Sequence, residues 1–400
     1  MILSVVIPAL NEEESIASII ERTLKAEPYI IENSPVTKVE IIVVSDGSTD
    51  KTVEIAQKYI SQIKLIIFEK NKGYGAAIKK GWEEASGELL AFIDADGTCD
   101  PLFFTNLCNL LEDKSADIVL GCRINKDSKM PFIRRFGNFL FAKLLTFLSS
   151  KYVKDTASGM RVVKKSALSK IYPLPDGLHF TPAMSAKALL NENIVISEEN
   201  MSYHEREGES KLHVAKDGIR FLKVILNTTF LYRPQIIFNS CSLFFAIISM
   251  TIMFFPIMHY INFHKVEEWM IYRFIVAELF AIISILVFSS SFILHNTIWL
   301  SMTSNLKDHV MKGIAVKFYS SLFSSYLSVL FLIVGFFFIK DSFLSRINTG
   351  ETTEHWSRYI AFSFFSLIGV IIALTKCTYW ILKLLKERLV FIQSDDYKKL

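Results

Sequence analysis

The chain lacks the marks of several common protein classes. Its five cysteines in 400 residues are Cys99, Cys108, Cys122, Cys241 and Cys377. They are odd in number, widely scattered and never spaced as CxxC, so neither a disulfide framework nor a zinc site is indicated, and a reducing compartment fits. The eight histidines form no HExxH or other ligand spacing, which leaves His179, His204 and His213 as expected packing or surface residues. No GxxxxGK[ST] phosphate loop occurs. "NKGYGAAIKKG" (71–81) has Gly73 and Gly75 but Ile78 where a dinucleotide fingerprint needs a third glycine. A P-loop nucleotidase and a Rossmann oxidoreductase therefore fit poorly. The net charge of +4 is too small to point to nucleic acid. "MILSVVIPAL" lacks a basic n-region and a full h-region, so it reads as a first strand rather than a signal peptide, with the N-terminal domain expected on the cytosolic side.

What the chain has is apolar residues, 51% with 33 phenylalanines, spread unevenly. Residues 1–233 look like a mixed, charged domain in which continuous apolar runs alternate with helical patterns. Strands are expected at 3–9, 39–46, 64–69, 88–95 and 117–123. Helices are expected at Glu13 to Ala26, Thr49 to Tyr59, Gly75 to Ala85 and Pro101 to Leu111. That alternation predicts an α/β fold, a mostly parallel sheet with helices on both faces. From 234 to 384 four runs, near 235–258, 270–294, 316–339 and 358–382, each approach the ~20 apolar residues needed to cross a bilayer, and 385–400 remain as a tail. A four-helix transmembrane domain is the expectation.

Charge sets the expected topology. Lys211, Lys216, Arg220, Lys223 and Arg233 precede the first span, Lys307 and Lys312 lie in the middle loop, and Lys383, Lys386 and Arg388 follow the last. Positive residues gather on the cytosolic side, so both ends are expected there. Two segments, 129–148 and 211–231, mix basic and large apolar residues at helical spacing, as interfacial helices do.

The rule that ligands bind beyond the carboxyl ends of parallel strands brings Asn11, Glu12, Asp46, Asp94 and Asp96 to one edge. Asp94 and Asp96 end the run "LLAFIDADG", two residues apart and on one face of an extended strand. Two carboxylates that close repel unless a cation intervenes. Mg²⁺ or Mn²⁺, hard ions with oxygen ligands, would resolve the conflict and keep positions open for phosphates. Downstream, Arg123, Arg134, Arg135, Arg161 and Arg206 supply planar forks suited to a phosphate at headgroup level.

"VVIPALNE", "VVSDGSTD", "GYGAAIKKG", "FIDADG", "GCR", "SGMR" and "REGESK", in this order across residues 1–233, resemble glycosyltransferase family 2. The likeness is to its dolichyl-phosphate mannose synthase-like, or polyprenyl-phosphate glycosyltransferase, branch. The resemblance implies a GT-A fold. It implies a nucleotide-sugar donor (GDP- or UDP-hexose) lined by Pro8, Asn11, Glu12 and Asp46, and a divalent metal on Asp94 and Asp96, with Thr98 where some members have a further ligand. It also implies a polyprenyl or dolichyl phosphate acceptor facing Arg123, Arg134 or Arg135, Arg206 and Lys211, and Arg161 close to the reacting centre. Ser45-Asp46 stands where many members have paired aspartates, and Ala9-Leu10 where Thr-Tyr is frequent. "GYGAAI" looks more like glucosyl or N-acetylglucosaminyl relatives than mannose synthases, so the hexose and the base stay open. Two other readings also stay open. A processive polysaccharide synthase of the same family would carry QxxRW, absent here, and a lipid-carrier flippase could use Glu278, an acid inside the second span.

Overall fold

Period-two alternation decides which way each strand residue faces, and here it divides single strands between two cores. In β1 (Ile2–Ala9) Leu3, Val5 and Ile7 point to one face of the sheet and Val6 to the other. In β2 (Lys38–Asp46) Ile41 and Val43 join the first core, Ile42 and Val44 the second. Helix α1 (Ile16–Asn33) covers the first face with Ile16, Ile19 and Ile20. The computed structural model describes residues 1–125, 128, 130–149, 151–204, 214–302, 314–349 and 355–392. They form two compact units, Met1–Tyr232 and Arg233–Leu400.

The first unit continues with α2 (Thr52–Gln57), β3 (Lys64–Phe68), α3 (Tyr74–Glu83), β4 (Leu89–Ile93), α4 (Phe104–Asp113), β5 (Ile118–Cys122) and α5 (Phe132–Ser149). After these come β6 (Met160–Lys164), α6 (Leu168–Ile171), α7 (Phe180–Leu190), β7 (Ile196–Asn200) and α8 (Val214–Tyr232). Among the described residues the sheet has seven strands in the order β3-β2-β1-β4-β6-β5-β7. Pairing is parallel except where β6 runs against β4 and β5. The second face is covered by Ile78 and Trp82 of α3 and by Phe180 and Met184 of α7. The mostly parallel sheet with helices on both faces is thus the observed architecture. Strands β6 and β7 were not among the expected strands. "MRVVK" and "ISEEN" carry charged residues in place of a continuous apolar run, and sheet pairing makes them strands.

Helix α1 runs past the expected end at Ala26 and through Pro28, because Ala26 and Ile30 continue its buried face. The two amphipathic segments form α5 from Phe132 and α8 from Val214; residues 129 and 211–213 lie outside the described residues. The helices meet through Phe141 and Phe221, ring centroids 5.9 Å apart. Helix α5 leaves Phe132 79% and Phe147 70% exposed. An exposed apolar surface of this kind normally marks a contact with something else.

In the second unit lie α9 (Pro234–Phe263), α10 (Ile271–Met302), α11 (Ile314–Ser320), α12 (Leu322–Thr349) and α13 (Trp356–Ile392). Among the described residues four helical stretches, Pro234–Phe263, Glu268–Ser301, Leu322–Asn348 and Trp356–Ile392, are long and apolar enough to cross a membrane. The first, second and fourth contain an expected span, while the third starts at Leu322 because the opening residues of the expected 316–339 belong to α11. Their contacts use small polar residues. Ser242 and Ser284 exchange hydroxyl-to-carbonyl bonds of 2.9 and 2.8 Å between α9 and α10. Ser328 donates to Gly369 O at 2.8 Å between α12 and α13. Glu278 of α10 accepts a 2.5 Å bond from Ser363 of α13, a helix-packing role. Arg273, at the start of α10, lies over the Phe255 and Trp269 rings.

Candidate active site

Strand register brings the ends of β1, β2 and β4 to one edge, where Ala9 pairs with Ser45 and Val6 with Phe92. Pro8 is buried in β1 opposite Val44. Asn11 follows with φ +50, a left-handed conformation that asparagine tolerates better than most residues. Its Oδ1 accepts Thr49 N at 2.8 Å, and its own N–H donates to Ser48 Oγ at 3.1 Å. Glu12 N–H donates to Thr52 Oγ1 at 2.8 Å. The loops after β1 and β2 are thereby fastened together. Helix α2 starts at Thr52, with Asp50 Oδ1 accepting Thr52 N, rather than at the expected Thr49.

Asp46 is buried at the end of β2, and its two oxygens accept Lys72 N at 2.7 Å and Gly73 N at 2.9 Å. Burial raises its carboxyl against the pull of those amides and of the Lys72 charge. Its visible work is to hold the loop that leads into α3. Gly73 has φ +108, and a Cβ there would lie 2.4 Å from Asp176 O. Only glycine allows that approach.

The first residue of α3 proves important. Tyr74 donates its hydroxyl to Asp94 Oδ1 at 2.6 Å. Burial, followed by the charge of Asp94, raises the phenol well above its ordinary value, so it keeps the proton it donates. On the other side of Asp94 stands Gly159, where a Cβ would be 1.8 Å from Asp94 Oδ2. Asp96 is 93% buried, and its Oδ1 accepts Thr98 Oγ1 at 2.6 Å and Thr98 N at 3.2 Å. The Thr98 hydroxyl therefore buttresses Asp96. The turn itself is held from outside: Arg22 of α1 donates to Gly97 O and Cys99 O at 3.2 and 3.0 Å, and His204 N–H donates to Thr98 O at 3.0 Å.

These residues fit a hard divalent cation. They present two carboxylates after one strand, each with an oxygen oriented by a hydroxyl donor, in the manner of outer-shell support for metal ligands. Among the described residues no group of three or more His, Cys, Asp or Glu gathers as a ready-made ligand set. A cation here would take its other ligands from a bound phosphate and water.

Two arginines are engaged inside the fold. Arg161 has no exposed surface; it donates to Ser158 O at 3.0 Å, Thr156 O at 2.9 Å and Ser185 Oγ at 2.9 Å. Burial lowers its guanidinium to about 10. It shapes the 156–159 turn that backs Asp94. Arg123 places Nε and Nη2 on the buried Asp155 at 2.7 and 2.9 Å, and its own N–H adds a third bond of 3.1 Å. Two of its donors are thus engaged by a carboxylate. Burial opposes the Asp155 charge, but the charge and hydrogen bonds of Arg123 outweigh it and hold the carboxyl low.

Arg134 and Arg135 lie on the first turns of α5, half-buried and exposed respectively, away from the strand ends in sequence. Arg206 and Lys211 lie outside the described residues. The edge thus gathers Asn11, Glu12, Asp46, Asp94, Asp96 and Thr98. Tyr74, Gly159, Arg22, Asp155 and Asn138 went unremarked in the sequence. Only Tyr74 gave a signal, as an aromatic residue between the two glycines of "KGYGA".

A sequence profile described as "Glycosyl transferase family 2" matches residues 4–172. A low-salt glycan biosynthesis hexosyltransferase of Haloferax volcanii is 34% identical over 228 residues, 56% of this chain and 53% of its own, so the chain spans about half of that relative. A dolichyl-phosphate hexose transferase of the same organism is 30% identical over 228 residues, 56% of this chain and 92% of its own. A dolichyl-phosphate beta-glucosyltransferase of Dictyostelium discoideum is 28% identical over 247 residues, 58% of this chain and 74% of its own.

Proposed function

The chain belongs to glycosyl transferase family 2, with the GT-A fold, and we propose that it is a membrane-bound, metal-dependent, inverting hexosyltransferase. Its donor is a nucleotide-sugar and its acceptor a polyprenyl (dolichyl) phosphate. The observation that carries this reading is the pair Asp94 and Asp96 at the end of β4, one oxygen of Asp94 held by Tyr74 and its other against Gly159. The names of the hexose-transferring relatives support the acceptor class.

A bound Mg²⁺ or Mn²⁺ would neutralise the charge that builds on the leaving nucleoside diphosphate. Asp94 and Asp96 would hold it, with Thr98 keeping Asp96 in place. Pro8, Asn11, Glu12 and the loop held by Asp46 border the space for the nucleotide. The acceptor phosphate, with a second pKa of about 6, is already largely anionic at neutral pH and needs no strong base. It needs orientation for in-line attack on the anomeric carbon. This matches a site whose phenol is held protonated.

Arg134 and Arg135 on α5 are the described cations best suited to meet phosphate at the headgroup level, with Arg206 and Lys211 as further contributors. The exposed Phe132, Phe136 and Phe147 of α5 and the basic residues of α8 suit the cytosolic face of a bilayer. The four apolar helices anchor the chain with both ends cytosolic. Division into a catalytic domain (1–233), a membrane domain (234–384) and a tail (385–400) belongs to this proposal.

The test is direct. Membranes containing the protein are incubated with polyprenyl phosphate and a panel of radiolabelled UDP- and GDP-sugars, then extracted for lipid. Label in the lipid phase from one hexose, dependent on Mg²⁺ or Mn²⁺, is expected. Lipid labelling that survives Asp94→Asn and Asp96→Asn sinks the mechanism.

A further inference from the structure

Asn138 stands where the pattern of α5 calls for an apolar residue. The buried face of that helix runs Asn138, Ala142, Leu145, Leu148 and Ser149. A buried amide is costly unless its donors and acceptor are matched. Here the matching groups all belong to one turn. Asn138 Nδ2 donates to Asp155 Oδ1 at 2.7 Å, and its Oδ1 accepts Thr156 N at 3.1 Å and Thr156 Oγ1 at 2.7 Å.

That turn leads to the acidic site. Thr156 O is bound by Arg161 and also accepts Ser185 Oγ at 2.8 Å. Ser158 Oγ donates to Gly121 O at 2.6 Å, tying the turn to β5. Gly159 then lies against Asp94 with no room for even one more carbon. A connected series of short, buried bonds therefore runs from α5 to the back of Asp94, and interiors packed this closely transmit displacement rather than absorb it.

We propose that Asn138 is a positioning residue for the acidic pair: by pinning residues 155–159 it holds Asp94 in the orientation a divalent cation requires, without itself touching substrate. The inference rests on the cation-binding role proposed for Asp94 and Asp96. It also makes α5, the helix with the exposed aromatic and basic surface, part of the support of the site.

The test uses the full chain in detergent and reads free Mn²⁺ by electron paramagnetic resonance, so that it does not depend on turnover. Asn138→Ala should weaken Mn²⁺ binding about tenfold, the lower end of the range for lost outer-shell support. Thr156→Val, which removes only the hydroxyl bond, should weaken it less. The double variant should be no weaker than Asn138→Ala alone, since the two changes break a shared contact. Unchanged Mn²⁺ affinity in either folded variant, or losses that simply add, overturns the proposal. If thermal melting shows Asn138→Ala unfolded, Thr156→Val alone decides. Asp94→Asn runs beside them: if it binds Mn²⁺ like the parent, the cation-binding role itself fails, a result separable from a neutral Asn138→Ala.

Discussion

The two units bury polar groups on opposite terms. In the first, fully buried charges are surrounded. Asp155 receives Arg123 through two side-chain bonds and one backbone bond, besides Asn138, and Arg161 places three donors on oxygens. In the second, Ser242, Ser249, Ser284 and Ser328 are buried while Phe254, Phe255, Phe336 and Phe337 face outward. The difference is one of solvent. Water rewards hiding apolar strands, and any charge taken inside must be matched. Lipid offers no gain for hiding phenylalanine, so small polar residues that let helices approach take the interior.

The largest expected effect lies in the first unit. Arg123→Leu leaves Asp155 charged and unmatched in the interior, which costs about 3–5 kcal/mol, measurable by denaturant unfolding of the detergent-solubilised chain. The pH dependence has a definite sign. Asp155 is held below its unfolded value of about 3.9, so its contribution is present above that pH and lost as pH falls through the folded value. The gap between parent and Arg123→Leu should therefore narrow on acidification below about pH 4. A constant gap would break the assignment.

Next in size, Asp94→Asn or Asp96→Asn should lower transfer at least about a hundredfold, beyond what outer-shell residues contribute, with little change in melting temperature. Gly159→Ala should follow. Its added carbon has nowhere to go but into Asp94, and a loss of about tenfold or more in transfer is expected. Full activity would mean that the turn yields easily.

The smallest effect is expected in the second unit. Ser242→Ala removes hydroxyl bonds to Ser284, and such contacts between membrane helices average about 0.6 kcal/mol. Unfolding in mixed micelles should register a loss of that order. A loss matching that of Arg123→Leu would erase the contrast between the units.

Local pattern made much of this legible. The strands ending at Ala9, Asp46 and Ile93 and the four apolar helices are written in runs whose period needs no distant partner. Strand-end acids followed from the same pattern. The roles of the arginines did not. Arg123, Arg134, Arg135 and Arg161 look alike in sequence, each near small or apolar neighbours. Yet one grips Asp155, 32 positions away, another holds a turn from inside the core, and two lie on α5. A guanidinium's partner is set by what the fold brings within 3 Å. Tyr74 and Asn138 were hidden for the same reason, since one resembles a helix start and the other a polar surface residue.

The sequence by itself determined the α/β layering, the apolar helices and the meeting of Asp94 with the other strand-end acids, because hydrophobic period and strand direction are local properties of the chain. Only the tertiary structure decided what holds those acids: Tyr74 on one side of Asp94, Gly159 on the other, and Arg22 on the turn after Asp96. Hydrogen bonds and steric contacts act over a few ångströms, and residues 20 or more positions apart reach that range only after the chain has folded.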